Sequence, residues 1–347
     1  MYDPKFYISN KLLNNIVNIE KELIYLEYTE INTSQLLKLR QTAKALNIFH
    51  FAHMINHPLT LGDAEKIADG RNIDGTDLNI VLLNNARNVH EFIRSSLQDD
   101  YIDIDTSILM HMNKILLSNW KELWDVKFRN PQLIEDTDWN DWLKLTDRTI
   151  EPLTLQDELK DAFDWYKIST QKLNHIIRIS VLIYRLIKIA PFSHLNKFTI
   201  IAATDFLFKK YKILADDTLS TFRLFDTHNS SLIQISEKID VENSDDVTGW
   251  IEIFTDSILL ELQKLKTDKK SLNDNKPQSK TFLDLNKRQL KILKYLQTIP
   301  TVKREDYVQI MDVSTMTAFR DLNDLVTKKL LKIQGRGRAT KYMLTNR

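Results

Sequence analysis

The stretch that decides the fold lies between 286 and 344: NKRQLKILKYL at 286–296, VKREDYVQIMDV at 302–313 and STMTAFRDLNDLVTKKLLKIQGRGRATKYML at 314–344. Leu290, Ile292, Leu293 and Leu296 form one apolar helical stripe, and Tyr307, Val308, Ile310 and Met311 predict a second, shorter helix. Asp312-Val313 is a tight connection. Ser314 is a natural N-cap, because its hydroxyl can accept from the unpaired N–H groups of a first helical turn. The third helix turns Ala318, Leu322, Leu325 and Val326 inward, and Thr315, Met316, Thr317 and Arg320 outward. Two apolar runs, Leu330 to Ile333 and Tyr342 to Leu344, flank Gly335-Arg336-Gly337-Arg338, a basic hairpin tip. Three helices followed by such a hairpin spell a winged helix-turn-helix, placed at 282–347.

Charge agrees with that assignment. Residues 277–347 hold 15 Lys and Arg against 6 Asp and Glu, a net of +9, whereas the whole chain is only +1, leaving −8 on residues 1–276. An acidic body with a basic tail domain is the electrostatic footprint of a polyanion partner. Thr315, Thr317 and Arg320 are expected to face the major groove of DNA. Ser314 and the wing residues Arg336 and Arg338 would meet phosphate or the minor groove, and Lys303 and Arg304 would add backbone contacts. The plainer alternative is a protein-docking winged helix with a solvated basic face.

The remaining composition sets bounds. At 347 residues, two to three domains and a large core are expected. With no cysteine there is neither a disulfide framework nor a thiolate metal site. The start, MYDPKFYISNKLLNNIVN, lacks a basic segment followed by an apolar one, and no apolar run reaches the roughly 20 residues of a membrane span. The expectation is a bacterial cytoplasmic protein with no membrane partner. Of 6 glycines two sit in the wing, which leaves little for a phosphate-binding loop elsewhere.

The body reads as mainly α. Helical period covers residues 9–48, with Leu12, Leu13, Ile16, Ile19 and Leu23 on one stripe, and resumes after Thr76 through LNIVLLNNARNVHEFIRSSL. Asp105-Thr106-Ser107 is a cap cluster before ILMHMNKILLSNW. Residues 125–153, with FRNPQLIEDTDW, lack period and predict a loop or small hairpin. Helices are expected again over Thr154–Trp165, His175–Ile189, Thr199–Tyr211 and Val247–Leu265. The polar stretch 266–281 reads as a linker. An N-terminal helical region, 1–75, precedes the core at 76–265.

Across nearly the whole chain, this order resembles the Fic (Fic/DOC) family, many of whose members end in such a winged helix. The family signature is HPFx[D/E]GNGRxxR between two helices. Here residues 190–201 read APFSHLNKFTII, so Pro191, Phe192 and Asn196 fit. FRNPQLI at 128–134 is similar to the family's flap, which docks a target protein as an added strand; Phe128, Arg129 and Leu133 would be its docking residues. EPLTLQDELKDAFDWY at 151–166, DDVTGWIEIFTDSI at 245–258 and LTLGDAEKIADG at 59–70 resemble further family segments. The resemblance implies a Fic-like helical bundle with a small β-hairpin flap. In active members it implies transfer of AMP from ATP to a protein hydroxyl, with Mg²⁺.

The departures from the signature decide the chemistry. The general-base histidine position is Ala190, which cannot accept a proton. The acidic position that holds Mg²⁺ is His194, a poor ligand for so hard a cation. Both glycines that let backbone amides wrap phosphate are replaced, by Leu195 and Lys197, and both phosphate-gripping arginines, by Phe198 and Ile201. The motif reads as dead for nucleotidyl transfer, so no cofactor is expected; ATP and Mg²⁺ belong only to the alternative. In the inhibitory-helix segment, Phe51 replaces a hydroxyl residue and Ile55 the glutamate that would pair with the second arginine, at Ile201. A buried ion pair can give way to an apolar pair without loss of stability.

Weaker constellations remain. His50, His53 and His57, at spacings of three and four, could share a metal; packing and capping account for them more simply, and no metal is assigned. Trp139 and Trp142 could line a peptide groove but fit core packing better. The favoured function is a DNA-binding regulator with a silent Fic-like body as scaffold or sensor. The alternatives are a residual adenylyltransferase and a protein–protein adaptor using the flap. Two-fold symmetric operators and family habit allow a homodimer.

Overall fold

The computed structural model describes residues 2–345 apart from 30–32, 72–77, 100, 122–126, 131–140, 148, 214–216, 243, 275–284, 329 and 336–339. At its centre two helices, α7 (His175–Ile189) and α8 (Asn196–Lys210), are buried on nearly every side. HIIRISVLIYRLIKI is rich in Ile, Leu and Val, and its three cations are met inside the bundle: Arg178 by the Tyr166 carbonyl, Arg185 by Glu158 and Lys188 by Asp240. The enclosing helices are α1 (Asn10–Tyr28), α2 (Thr33–Met54), α3 (Leu61–Ala68), α4 (Leu78–Ser96), α5 (Thr106–Leu117), α6 (Leu155–Ile168), α9 (Thr221–Val241) and α10 (Thr248–Asp274). One apolar core runs through them from Leu12 to Leu265. It includes the N-terminal region, since α1 lies along α10 and α2 against α9.

Caps fix where the helices start. Ser9, Thr60, Asp105, Asn174 and Ser220 each accept a first-turn N–H through the side chain. Three expectations need correction. Along α1, Leu13 is 52% exposed while Asn15 and Leu26 turn inward. Helix α10 runs nine residues past Leu265 into the stretch read as linker. Its extra turns are held by ions instead of apolar side chains: Lys266 pairs with Glu22 at 2.8 Å, and buried Lys269 donates to the Leu26 carbonyl at 3.0 Å. Of the expected flap hairpin, the described part shows only an antiparallel bridge from Phe128 to Phe192, and residues 131–140 lie outside the described residues. Among the described residues, no helix is long and apolar enough to cross a membrane.

The C-terminal domain folds as three helices, α11 (Lys287–Thr298), α12 (Arg304–Met311) and α13 (Thr315–Thr327), and an antiparallel pair, β1 (Leu331–Gln334) and β2 (Lys341–Leu344), with Leu331 opposite Leu344. Val302 adds a bridge to Tyr342. The inward stripe of α11 is Gln289, Ile292, Leu293 and Leu296; Leu290, expected there, is 38% exposed. Gln289 wins the place because it completes a capping box with Asn286 and donates to the Asp321 carbonyl and the Asp324 carboxylate. Asp321 is the polar hub, accepting from Tyr307, Arg288 and Asn286 at 2.8–2.9 Å. Burial opposes its charge, but Arg288, Tyr307 and Asn286 outweigh this and hold its carboxyl below the usual range.

This domain is docked on the body. Leu46 of α2 and Leu61 of α3 join its core. The Thr60 hydroxyl bonds Gln309, and Lys291 pairs with Glu65 at 3.0 Å. Gly62 lets the backbones close up: a Cβ built there would sit 2.7 Å from Gln309 Cβ and 3.1 Å from the Ile310 nitrogen.

Candidate functional site

Two regions gather the residues singled out by sequence. The first is the loop between α7 and α8. Ala190 ends α7 in the left-handed region, φ 40°, and Leu195 precedes α8 at φ 58°. Asn196 holds the turn between them: its Oδ1 accepts from the Phe192 N–H at 2.8 Å and its Nδ2 donates to the Phe192 carbonyl at 2.7 Å. Phe192 is buried and stacks with Phe128 at 6.1 Å. Of the matching motif residues, Phe192 and Asn196 thus visibly shape the loop, and Pro191 accepts from the Arg129 N–H at 2.8 Å.

The residues that depart from the motif fill the site with protein. Lys197, only 4% exposed, pairs with Asp141 at 2.6 Å and lies over the Trp142 ring. Asp141 is in turn held by Asn229, which accepts from the Trp142 indole at 2.8 Å. A cavity of about 10 Å³ remains beside Ala190, Asn196 and Lys197, room for about one water molecule. Phe198 stacks on Phe51 with ring centroids 4.3 Å apart, both buried. Ile55 and Ile201 are core residues as well. His194 is edge-on to Trp120, and its carbonyl accepts from Asn113.

Arg129, expected on the peptide-docking flap, is instead buried: its guanidinium donates to the carbonyls of Ile189 and Ile150 at 3.1 and 3.0 Å. Burial lowers its pKa, with Asp147 working the other way. It fastens the flap's base to the end of α7 and has no surface left for a peptide. Phe128 is half-buried at that base, and Leu133 lies outside the described residues. His50 and His53 both turn Nδ1 to Asp226 of α9, at 2.7 and 2.8 Å. Sequence could not reveal this partner, more than 170 residues away. Trp142 packs against Phe225 in the core, and Trp139 lies outside the described residues.

The second region is the outer face of α13. Ser314 caps it, accepting from the Thr317 N–H at 3.2 Å, and the Thr317 hydroxyl lies 3.0 Å from that of Ser314. Thr317 is therefore part of the cap and half-buried. Thr315, Met316, Phe319, Arg320 and Asn323 stand exposed together. Lys303 is exposed at the start of α12, and Arg304 lies 5.6 Å over the Phe319 ring. Arg336 and Arg338 lie outside the described residues. Sequence reasoning missed Phe319 and Asn323. The signal available was their position: with Ala318, Leu322 and Leu325 inward, 319 and 323 fall on the opposite side of a 3.6-residue helix.

Residues 288–341 match the family profile of the DeoR-like helix-turn-helix domain. No curated protein sequence matches the chain. Solved structures that resemble it include the following three. A Fic family protein from Desulfovibrio desulfuricans G20 has 15% identity and a TM-score of 0.61, over 100% of this chain and 99% of that one. A Fic domain-containing signaling protein from Bacteroides thetaiotaomicron has 16% identity and a TM-score of 0.56, over 74% and 98%. Fic-1 from C. elegans has 16% identity and a TM-score of 0.55, over 74% and 72%. The chain has the fold of Fic-family proteins, with a DeoR-like helix-turn-helix domain at residues 288–341.

Proposed function

We propose that this chain is a DNA-binding regulator of transcription whose Fic-fold body is a scaffold that transfers no nucleotide. The observation that carries the first part is an uncovered face on a basic domain. Residues 277–347 hold a net +9, and Thr315, Arg320 and Lys303 stand exposed while α12 rests against α3. Helix-turn-helix modules enter the major groove with such a face. A homodimer would offer two of them to a two-fold symmetric operator.

Support for the silent body comes from the loop. Ala190 has no proton-accepting atom, and loss of a general base alone costs about 10²–10⁴-fold. Lys197, the one cation introduced into the motif, is already neutralised by Asp141, whose charge would repel a triphosphate. The remaining cavity of about 10 Å³ compares with roughly 300–1,000 Å³ for small-molecule sites.

The test is retention of sheared genomic DNA by the full chain at two salt concentrations, with sequencing of what is retained. Lys303, Arg304, Arg336 and Arg338, at about 0.9 counterion each, predict a log–log salt slope near −3 to −4 per domain. No retention above background at low salt would sink the DNA-binding proposal and move the function to a protein partner.

A further inference from the structure

The outer face of α13 carries two large apolar side chains that the fold does not use. Met316 is 60% exposed and Phe319 44% exposed; the other exposed large apolar residues described in the domain, Leu290 and Ile333, lie on α11 and β1. They are flanked by Thr315, Arg320 and Asn323, with Arg304 over the Phe319 ring. Met316 and Phe319 lie three residues apart on one helix face, so they form a single contact surface instead of scattered apolar positions. The surrounding cations and the domain's net +9 fit a polyanion better than an apolar protein groove.

In the major groove of DNA, the apolar group that ordinary bases present is the C5-methyl of thymine. Building on the DNA-binding proposal above, we propose that Met316 and Phe319 read thymine methyl groups, so that this domain prefers sites with adjacent A·T pairs where α13 enters the groove. The spacing fits. Three residues of helix advance about 4.5 Å, close to the roughly 3.4 Å between base pairs, so the two side chains address neighbouring pairs. Arg304, stacked on Phe319, restrains the ring while keeping its charge toward the phosphates.

The experiment selects duplexes from a library of random 20-base-pair DNA with the full chain. Affinity is then measured for a selected duplex and for the same duplex with deoxyuridine in place of every thymidine. That exchange removes only the methyl groups. The expected loss is about fourfold per methyl covered, hence about 15-fold for two. In Met316→Ala/Phe319→Ala, whose sites are exposed, the two duplexes should bind alike, with the salt slope unchanged. Equal affinity of the natural protein for both duplexes would overturn methyl readout while leaving DNA binding intact. An undiminished preference in the double variant would overturn the assignment to these residues. Failure to retain any duplex at low salt would remove both proposals and point to a protein covering this face.

Discussion

Replacing Gly62 by alanine tests whether the C-terminal domain is fixed to the body. Ordinarily Gly→Ala within a helix stabilises by about 0.5–1 kcal/mol, since glycine loses more backbone entropy on folding. Here the new methyl would sit 2.7 Å from Gln309 Cβ and 3.1 Å from the Ile310 backbone nitrogen. Neither is the end of a flexible side chain, so α3 and α12 must separate. Overpacking of this kind costs about 1–3 kcal/mol, which exceeds the propensity gain. The expected outcome is net destabilisation of about 1–2 kcal/mol confined to the interface, seen by calorimetry of the full chain. The transition of the small domain should shift down by several degrees, at roughly 4–8 °C per kcal/mol for its size. The Lys291–Glu65 pair gives an independent check: Lys291→Glu should weaken the same transition by up to about 1 kcal/mol, and Glu65→Lys in the same chain should recover part of it. A Gly62→Ala protein with a raised midpoint would refute the reasoning, because it would mean the methyl meets open space and the domain is not docked through α3.

Other expectations are direct. Arg320→Ala should weaken DNA binding by about tenfold, within the range for one major-groove contact, and leave the unfolding midpoint unchanged because the side chain is exposed. On the silent-body proposal, Ala190→His should yield no transfer of label from ATP to protein, since Lys197 stays paired with Asp141 and Phe198 stays stacked on Phe51; detectable labelling would contradict it. Asn196→Ala leaves the buried Phe192 N–H and carbonyl without their partner and should destabilise by about 1–3 kcal/mol in urea unfolding. Burial raises the Glu261 pKa, but His228, Arg223 and Lys264 outweigh it and bring it from 4.5 down to about 2. Its contribution, about 3 kcal/mol, is complete above pH 4.5 and lost as pH falls toward 2. Glu261→Gln should flatten the acid limb of the stability–pH curve.

What sequence made legible follows from the range of the forces involved. Ser314 as a cap, α7 over 175–189 and the two wing strands rest on local turn chemistry and period, and they stand where expected. Misplaced features were settled by distant partners. Gln289 displaces Leu290 because Asp324 offers it a hydrogen bond across 35 residues. The last turns of α10 look like linker because their anchors, Glu22 and the Leu26 carbonyl, lie some 240 residues back. Asp226 beneath His50 and His53 belongs to the same class. At the candidate site the substitutions in the motif were readable one by one, but not the Asp141–Lys197 pair that closes it, because Asp141 arrives from an aperiodic segment.

The motif loop shows which of its residues serve shape and which serve chemistry. Asn196 and Phe192 hold the backbone of the loop, while Leu195, Phe198 and Ile201 put apolar side chains into the core and Lys197 pairs with Asp141. The left-handed turn persists without its glycine. A leucine at φ 58° costs about 1–2 kcal/mol, and burying its side chain, 5% exposed, offsets about as much. Phe198 against Phe51 adds a buried stack where charged groups would need compensation. The side chains of α13 show the opposite pattern: Met316 and Phe319 stand outside the core of their domain, where on the proposal above they meet DNA.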